Sequence, residues 1–365
     1  MKQLVLLGGG HAHVHVLKQL ARKPLAGVNI TLVSPFEKQI YSGMVPGWLA
    51  GHYLLDECSI PLSPLAGLAN ATFLEAAATG IDPHTKQVTT SSGETLAYDW
   101  LSVDTGPVMN RDAIPGAREH ALFVRPMEHF VRLSEGLLEL AQSRVLAVVV
   151  VGGGAAGVEL ALALQHRLQA QVRVSLVTGG SPPLASHSTQ VQHRAMAVLR
   201  RARIAVLQEK CVEIAAKQVI LANGARLACD APLAVWGASA PPWLAGSGLA
   251  LDESGFIQTQ ATLQSISHPE VFAAGDVASR VDAPHPKSGV YAVRSGPPLF
   301  ANLQRAAAGQ PLKTYQPQKN SLNLLACGER YALASWGQWS AQGAWVWYWK
   351  NWIDRRFVRQ YQSVF

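Results

Sequence analysis

Two glycine-rich loops hold most of the chemistry available to this sequence. The first lies in Lys2-Gln-Leu-Val-Leu-Leu-Gly8-Gly9-Gly10-His11-Ala12-His13, where a short apolar run meets three glycines and a helix-compatible segment, Val14 to Leu20. The second, Val148-Val-Val-Val-Gly152-Gly153-Gly154-Ala155-Ala156-Gly157-Val158-Glu159, again follows a β-branched run and opens a helix. Glycine allows the tight turn and lets a pyrophosphate approach free backbone N–H groups at a helix N-terminus. One Gly-x-Gly alone is weak evidence, because many turns carry it. Two of them, each between an apolar strand and a helix, point to two dinucleotide sites and so to electron transfer.

A third cluster is more specific. In Pro269-Glu-Val-Phe-Ala-Ala-Gly275-Asp276-Val277-Ala278 an apolar strand delivers Gly-Asp to the start of a new segment. There the Asp276 carboxylate can accept hydrogen bonds from polyol hydroxyls, and the glycine lets backbone pass close to a ligand. Pro286-Lys287-Ser288-Gly289-Val290-Tyr291 then reads as a helix start, whose positive end favours negative charge beside it. His11, His13 and His15 invite a metal, but on a helix His13 points nearly opposite the other two, so three ligands cannot converge. No metal is expected. Cys58, Cys211, Cys229 and Cys327 show no C-x-x-C spacing and read as reduced thiols.

The elements that must position these groups follow from the pattern. Val28 to Val33 is a second parallel strand, rich in β-branched residues. An acidic residue commonly ends that strand and binds ribose hydroxyls. Here the position is Ser34, a weaker partner, and His13 stands in place of the third glycine, which predicts a helix set slightly further from the strand. Tyr41-Ser42-Gly43-Met44-Val45-Pro46-Gly47 reads as a loop. Trp100 to Val103 is a strand returning to the first loop and ending in Thr105-Gly106. A proline-marked linker leads to a helix from about Pro126 to Ser143. Val172 to Val177, ending in Thr178-Gly179-Gly180, and a strand near Leu233 ending in Gly237-Ala238 repeat the first plan. The fold class is α/β, with two Rossmann-like dinucleotide-binding domains. One spans 1–107 and 266–320, the second is inserted at 108–265, and a tail covers 321–365.

At 365 residues the chain can bury two cores. Its 48% apolar and 15% charged content exclude a disordered protein. A net charge of +7 favours anionic partners without choosing among them, and the basic residues are too dispersed for nucleic acid. The N-terminal apolar run is too short for a secretory signal, and Val145 to Leu164 is broken by glycines and carries Glu159, so it reads as strand plus helix. A cytoplasmic protein is expected.

Six of the ten tryptophans fall between Trp336 and Trp352. If 344–361 is helical, Trp345, Tyr348, Trp349 and Trp352 form one stripe, and Lys350, Arg355, Arg356 and Arg359 add positive charge. Rings and cations together suit a lipid headgroup interface on the inner face of a membrane. The alternatives are packing on the chain's first domain or on a partner subunit in a homodimer.

The order of these motifs resembles the FAD-dependent pyridine nucleotide-disulfide oxidoreductase superfamily over essentially the whole chain. The absence of redox cysteines near residue 43 is similar to type II NADH dehydrogenases and sulfide:quinone oxidoreductases. The run Gly8 to Val14 with Tyr41 to Gly47 resembles the flavoproteins associated with selenide, water dikinase. The resemblance implies that Gly8, Gly10, His11, Ala12 and His13 hold the FAD pyrophosphate, with Ser34 at its ribose. Tyr41, Thr105, Gly106, Gly275 and Asp276 would line the same cofactor, and Lys287, Ser288, Gly289 and Tyr291 its pyrimidine edge. Gly152, Gly154, Ala155, Ala156, Gly157, Thr178 and Gly237 would hold NAD(P)H, with Glu159 at the nicotinamide–flavin contact. The alternative for Glu159 is a helix-start carboxylate that complements the dipole. The implied activity is electron transfer from NAD(P)H through FAD to a quinone-like acceptor. Two alternatives are redox handling of a selenium or sulfur compound and a flavin-bearing scaffold with a decayed nicotinamide site.

Overall fold

A computed structural model describes residues 1–362 of the chain; the last three residues of the expected tail lie outside the described residues. The first apolar run forms strand β1 (Lys2–Leu7), and the glycine loop delivers the chain into helix α1 (His11–Arg22). Strands β2 (Val28–Ser34), β3 (Ala71–Glu75) and β4 (Trp100–Val103) follow. All pairings in this sheet are parallel, with Lys2 opposite Val28 and Leu7 opposite Val33. Both faces are covered, as parallel sheets require. Leu4 and Leu6 pack with Val14, Leu17, Phe272 and Leu299 on one side, while Val5 and Leu7 pack with Val103 and Ile257 on the other.

The second unit repeats the plan. Strand β5 (Leu122–Phe123), β6 (Leu146–Val151), helix α2 (Ala155–Leu168), β7 (Val172–Val177), β8 (Ala205–Leu207) and β9 (Ala231–Ala234) build another all-parallel sheet, in the order β5-β9-β6-β7-β8. The chain then returns as β10 (Val271–Ala273), which completes the first sheet in the order β10-β4-β1-β2-β3. Between β5 and β6 runs the expected linker helix, over Met127–Leu140.

Helix α3 (Gly289–Ala307) packs beside α1, and the tail forms a hairpin sheet, β11 (Asn323–Ala326), β12 (Ala332–Trp336) and β13 (Trp339–Gly343), before helix α4 (Ala344–Gln362). The expected loop at Tyr41 to Gly47 differs, since a short helix covers Val45–Leu49. Pro46 is tolerated in its first turn, and burial of Val45 and Leu49 fixes it.

The tail corrects one expectation. Val346, Trp347, Lys350, Asp354, Phe357, Val358 and Tyr361 form the buried face of α4, so Lys350 is an interior residue and no part of a basic surface. Of the expected stripe, Trp345, Tyr348 and Trp352 each keep more than half of their surface exposed, with Arg356 over Trp352, while Trp349 is only partly exposed and stacks on Trp345.

Candidate functional site

Three adjacent parallel strands, β10, β4 and β1, end on the same edge of the first sheet. Their C-terminal ends carry Gly275-Asp276, Asp104-Thr105-Gly106 and Gly8 to His13. In open α/β sheets ligands bind in the crevice outside such strand ends. The three loops touch. Gly10 N donates to Asp104 O at 3.1 Å, and Ala274 N donates to Val103 O at 3.0 Å.

The N-terminus of α1 is held by two side chains the sequence pattern did not single out together. The Asp104 carboxylate accepts the N–H groups of Ala12 at 2.8 Å and His13 at 3.0 Å. The His13 ring, fully buried in the place of the third glycine, contacts Gly8 O at 2.6 Å and Ser102 Oγ at 2.8 Å. Burial lowers His13 to about 4, against the pull of the Gly8 carbonyl. A neutral imidazole therefore ties the loop to β4.

His11 lies further out. Its ring stacks on Phe357 and lies tilted against Tyr41, its Nδ1 meets Gln39 Nε2 at 3.3 Å, and its buried Nε2 has no partner. Burial, then Arg125, lowers it to about 4. Arg125, which the sequence pattern did not single out, adds a cation to the site: its guanidinium lies 3.7 Å from the Asp276 carboxylate. Burial raises Asp276, while Arg125 and Lys287 pull it down.

These residues fit a flavin dinucleotide. An unpartnered buried imidazole nitrogen, a guanidinium and the uncapped N-terminus of α3 surround the crevice and suit a group with diphosphate oxygens and a polar ring edge. Other expected contacts are spent elsewhere. Ser34 is buried and its hydroxyl donates to Phe36 O at 3.0 Å. Lys287 donates to Ala278 O and lies 3.9 Å from the Phe256 ring centroid. Tyr291 stacks on His285 and donates to Gln318 O. Ser288 caps α3 without a side-chain bond, ahead of Gly289, and Thr105 makes only a 3.5 Å contact to Gly106 O.

The second loop is built alike. Gly157 is required, because a Cβ there would collide with Gly152 O. Gly154 precedes α2 without a side-chain cap, leaving the N–H groups around Ala155 and Ala156 for a ligand. Thr178 Oγ donates to Ser181 O, closing the turn beyond β7, and Gly237 is exposed beyond β9.

Glu159 reaches from α2 toward the tail. Its Oε1 accepts the Ala326 N–H at 2.7 Å, and desolvation raises it to about 7 although Lys350 opposes the rise. Lys350 Nζ donates to Asp354 Oδ2 and to Gly43 O, both at 2.7 Å, and Tyr41 donates to Asp354 Oδ1 at 3.3 Å. Burial works against the Lys350 charge, but Asp354 and Glu159 outweigh it and raise its pKa. Lys350 and Asp354 carry an i,i+4 spacing that could have flagged the pair; Asp104 and Arg125 carry no comparable local signal. Burial pushes Cys58 and Cys327 up to about 12, so neither supplies a thiolate at neutral pH.

Known proteins resemble this chain in sequence and in fold. The profile of the family described as pyridine nucleotide-disulphide oxidoreductase matches residues 2–296. An NADH dehydrogenase-like protein of Mycobacterium tuberculosis is 32% identical over 307 residues, 78% of this chain and 75% of its own. A demethylphylloquinone reductase of Synechocystis is 27% identical, over 77% of this chain and 73% of that protein. Among solved structures, the sulfide:quinone oxidoreductase of Aquifex aeolicus shares the fold with a TM-score of 0.84 at 20% identity, over 100% of this chain and 92% of that one.

Proposed function

Given that the chain belongs to the pyridine nucleotide-disulphide oxidoreductase family and is an FAD-dependent NAD(P)H oxidoreductase, we propose that a quinone receives its electrons. The observation that carries this reading is the convergence of the first glycine loop, Gly275-Asp276 and the α3 N-terminus at one sheet edge, beside a second free glycine loop. On this reading residues 1–107 with 266–320 bind FAD, 108–265 bind the nicotinamide dinucleotide, and 321–365 serve the acceptor.

Bound FAD supplies the hydride acceptor and the electron relay. The protein supplies placement and charge. Gly8, Gly10, His11 and Arg125 hold the diphosphate, Asp276 accepts ribityl hydroxyls, and the N–H groups opening α3 favour negative charge at the pyrimidine edge. The N–H groups of Ala155 and Ala156, with Gly152, Gly154 and Gly157, hold the nicotinamide dinucleotide. Quinone reduction consumes protons, and Glu159, poised near neutral pH with Lys350 beside it, holds one at Oε2 while Oε1 stays on Ala326.

A quinone is dissolved in lipid, and no helix among the described residues is long and apolar enough to cross a membrane. Trp336, Trp339, Trp345, Tyr348 and Trp352 are exposed on the hairpin and α4, with Arg356 and Arg359 on the same helix, which suits docking on an anionic surface. The test is anaerobic titration of the flavin spectrum with NADH and NADPH, followed by addition of a soluble quinone. Bleaching and quinone-driven recovery are expected; a yellow protein inert to both nicotinamides overturns the reading.

A further inference from the structure

The two glycine loops are internal controls for one another, and one of their differences lies in the segment that packs against the leading glycine. In each unit the strand beside the first one is followed directly by a residue whose carbonyl packs against the leading glycine: Asp104 against Gly8, and Val235 against Gly152. Thr105-Gly106 and Trp236-Gly237 follow in turn. In the second unit the side chain is apolar and the helix N-terminus is left free. In the first, the carboxylate enters the helix end and takes two N–H groups.

Everything around this carboxyl is arranged for closeness. A Cβ on Gly10 would collide with its Cγ and Oδ1, and a Cβ on Gly275 would collide with Oδ1. The Asp104 side chain therefore lies between the two glycine segments that line the crevice, one oxygen spent on α1 and the other facing Gly275. It is 2% exposed. The titratable groups facing it are His13, from α1, whose ring bonds Gly8 and Ser102, and Asp276, which follows Gly275. Arg125 lies against Asp276, and no cation pairs with Asp104 itself among the described residues.

We propose that Asp104 sits beside the FAD diphosphate as a neutral carboxylic acid, Oδ2 accepting the Ala12 and His13 N–H groups and Oδ1 carrying a proton toward the ligand, so that ionising this one side chain releases the flavin. A carboxylate there would add a third negative charge to a diphosphate in a space that already holds Asp276. A carboxylic acid removes that charge and adds a donor. The protein alone favours this state: burial, aided by Asp276, raises Asp104 to about 8, against the two N–H bonds that stabilise the anion. A bound diphosphate raises it further. The sign then follows by linkage. The free protein loses the proton as pH passes about 8 and the complex retains it, so flavin affinity falls with rising pH by up to about tenfold per unit.

This inference rests on the FAD reading but not on the identity of the acceptor. The dissociation constant of FAD is measured by fluorescence of released flavin from about pH 6.5 to 9.5 for the wild type and for Asp104→Asn, which keeps an acceptor for the α1 N–H groups. The wild type is expected to weaken steeply above pH 8, and Asp104→Asn to bind equally well across the range. Asp104→Ser, whose shorter side chain ends in a hydroxyl that does not ionise in this range, serves if the amide variant fails to fold. A wild-type affinity independent of pH, or a variant with the same alkaline loss, overturns the proposal. A chain that binds no FAD at any pH fails the broader reading instead.

Discussion

Glu159, on the helix that opens the second glycine loop, accepts the backbone N–H of Ala326 in the C-terminal hairpin at 2.7 Å. One carboxylate thus joins the nicotinamide side of the molecule to the segment assigned to the acceptor. Its partners decide when it carries a proton: desolvation raises it to about 7, and Lys350 limits the rise.

Quinone reduction should therefore slow as pH rises through about 7, where Glu159 loses its proton. Glu159→Gln keeps an acceptor for Ala326 but no acid, so it should lower kcat by roughly a hundredfold and flatten the profile. Stability moves the other way. A folded pKa above the unfolded one contributes stability below the unfolded value that is lost as pH rises through the folded one, so the variant should gain stability at pH above 7. Steady-state kinetics and denaturant titration at matched pH check both.

Lys350→Met should destabilise by about 3–5 kcal/mol, because it leaves Asp354 buried without its cation and the Gly43 carbonyl without its donor. Lys350→Met with Asp354→Leu should recover much of that loss. Urea midpoints at neutral pH separate the two.

His13 titrates far below an ordinary histidine. A folded pKa of about 4 gives stability present above 6.5 and lost as pH falls toward 4, worth about 3 kcal/mol for so buried a ring. His13→Asn should remove that part of the acid dependence, and the wild-type ring should show no NMR titration above about pH 5.

Trp345→Glu with Trp352→Glu should leave folding within about 0.5 kcal/mol, since both rings are exposed. The same pair should abolish co-sedimentation with vesicles of mixed neutral and anionic lipid. Wild-type binding should weaken with salt, as attraction through Arg356 and Arg359 is screened.

Much of this was legible in local sequence. A fingerprint such as Gly8 to His13 or Gly152 to Gly157 encodes its own turn, so the strand–loop–helix units were readable from spacing. The stripe on α4 was readable from helical period, but that period leaves open which way it faces, and the structure exposes Trp345, Tyr348 and Trp352. What local pattern hides is a partner far along the chain. Lys350 reads as one more surface cation until Gly43, 307 positions away, supplies its carbonyl. Ser34 was expected at a ribose, yet its hydroxyl closes onto Phe36. Asp104 and Arg125 have meaning only where two glycine segments converge.

The order in which the first sheet is completed bears on how the protein is made. Its central strand, Lys2–Leu7, leaves the ribosome first, but the edge beside Trp100–Val103 stays unpaired until Val271–Ala273 is synthesised. The wall at Tyr41 to Gly43 waits longer still, for the final helix. The nascent chain therefore carries an open strand edge until Val271–Ala273 is made, a stage at which chaperone cover matters, and the wall of the flavin cleft closes only once Ala344–Gln362 has folded.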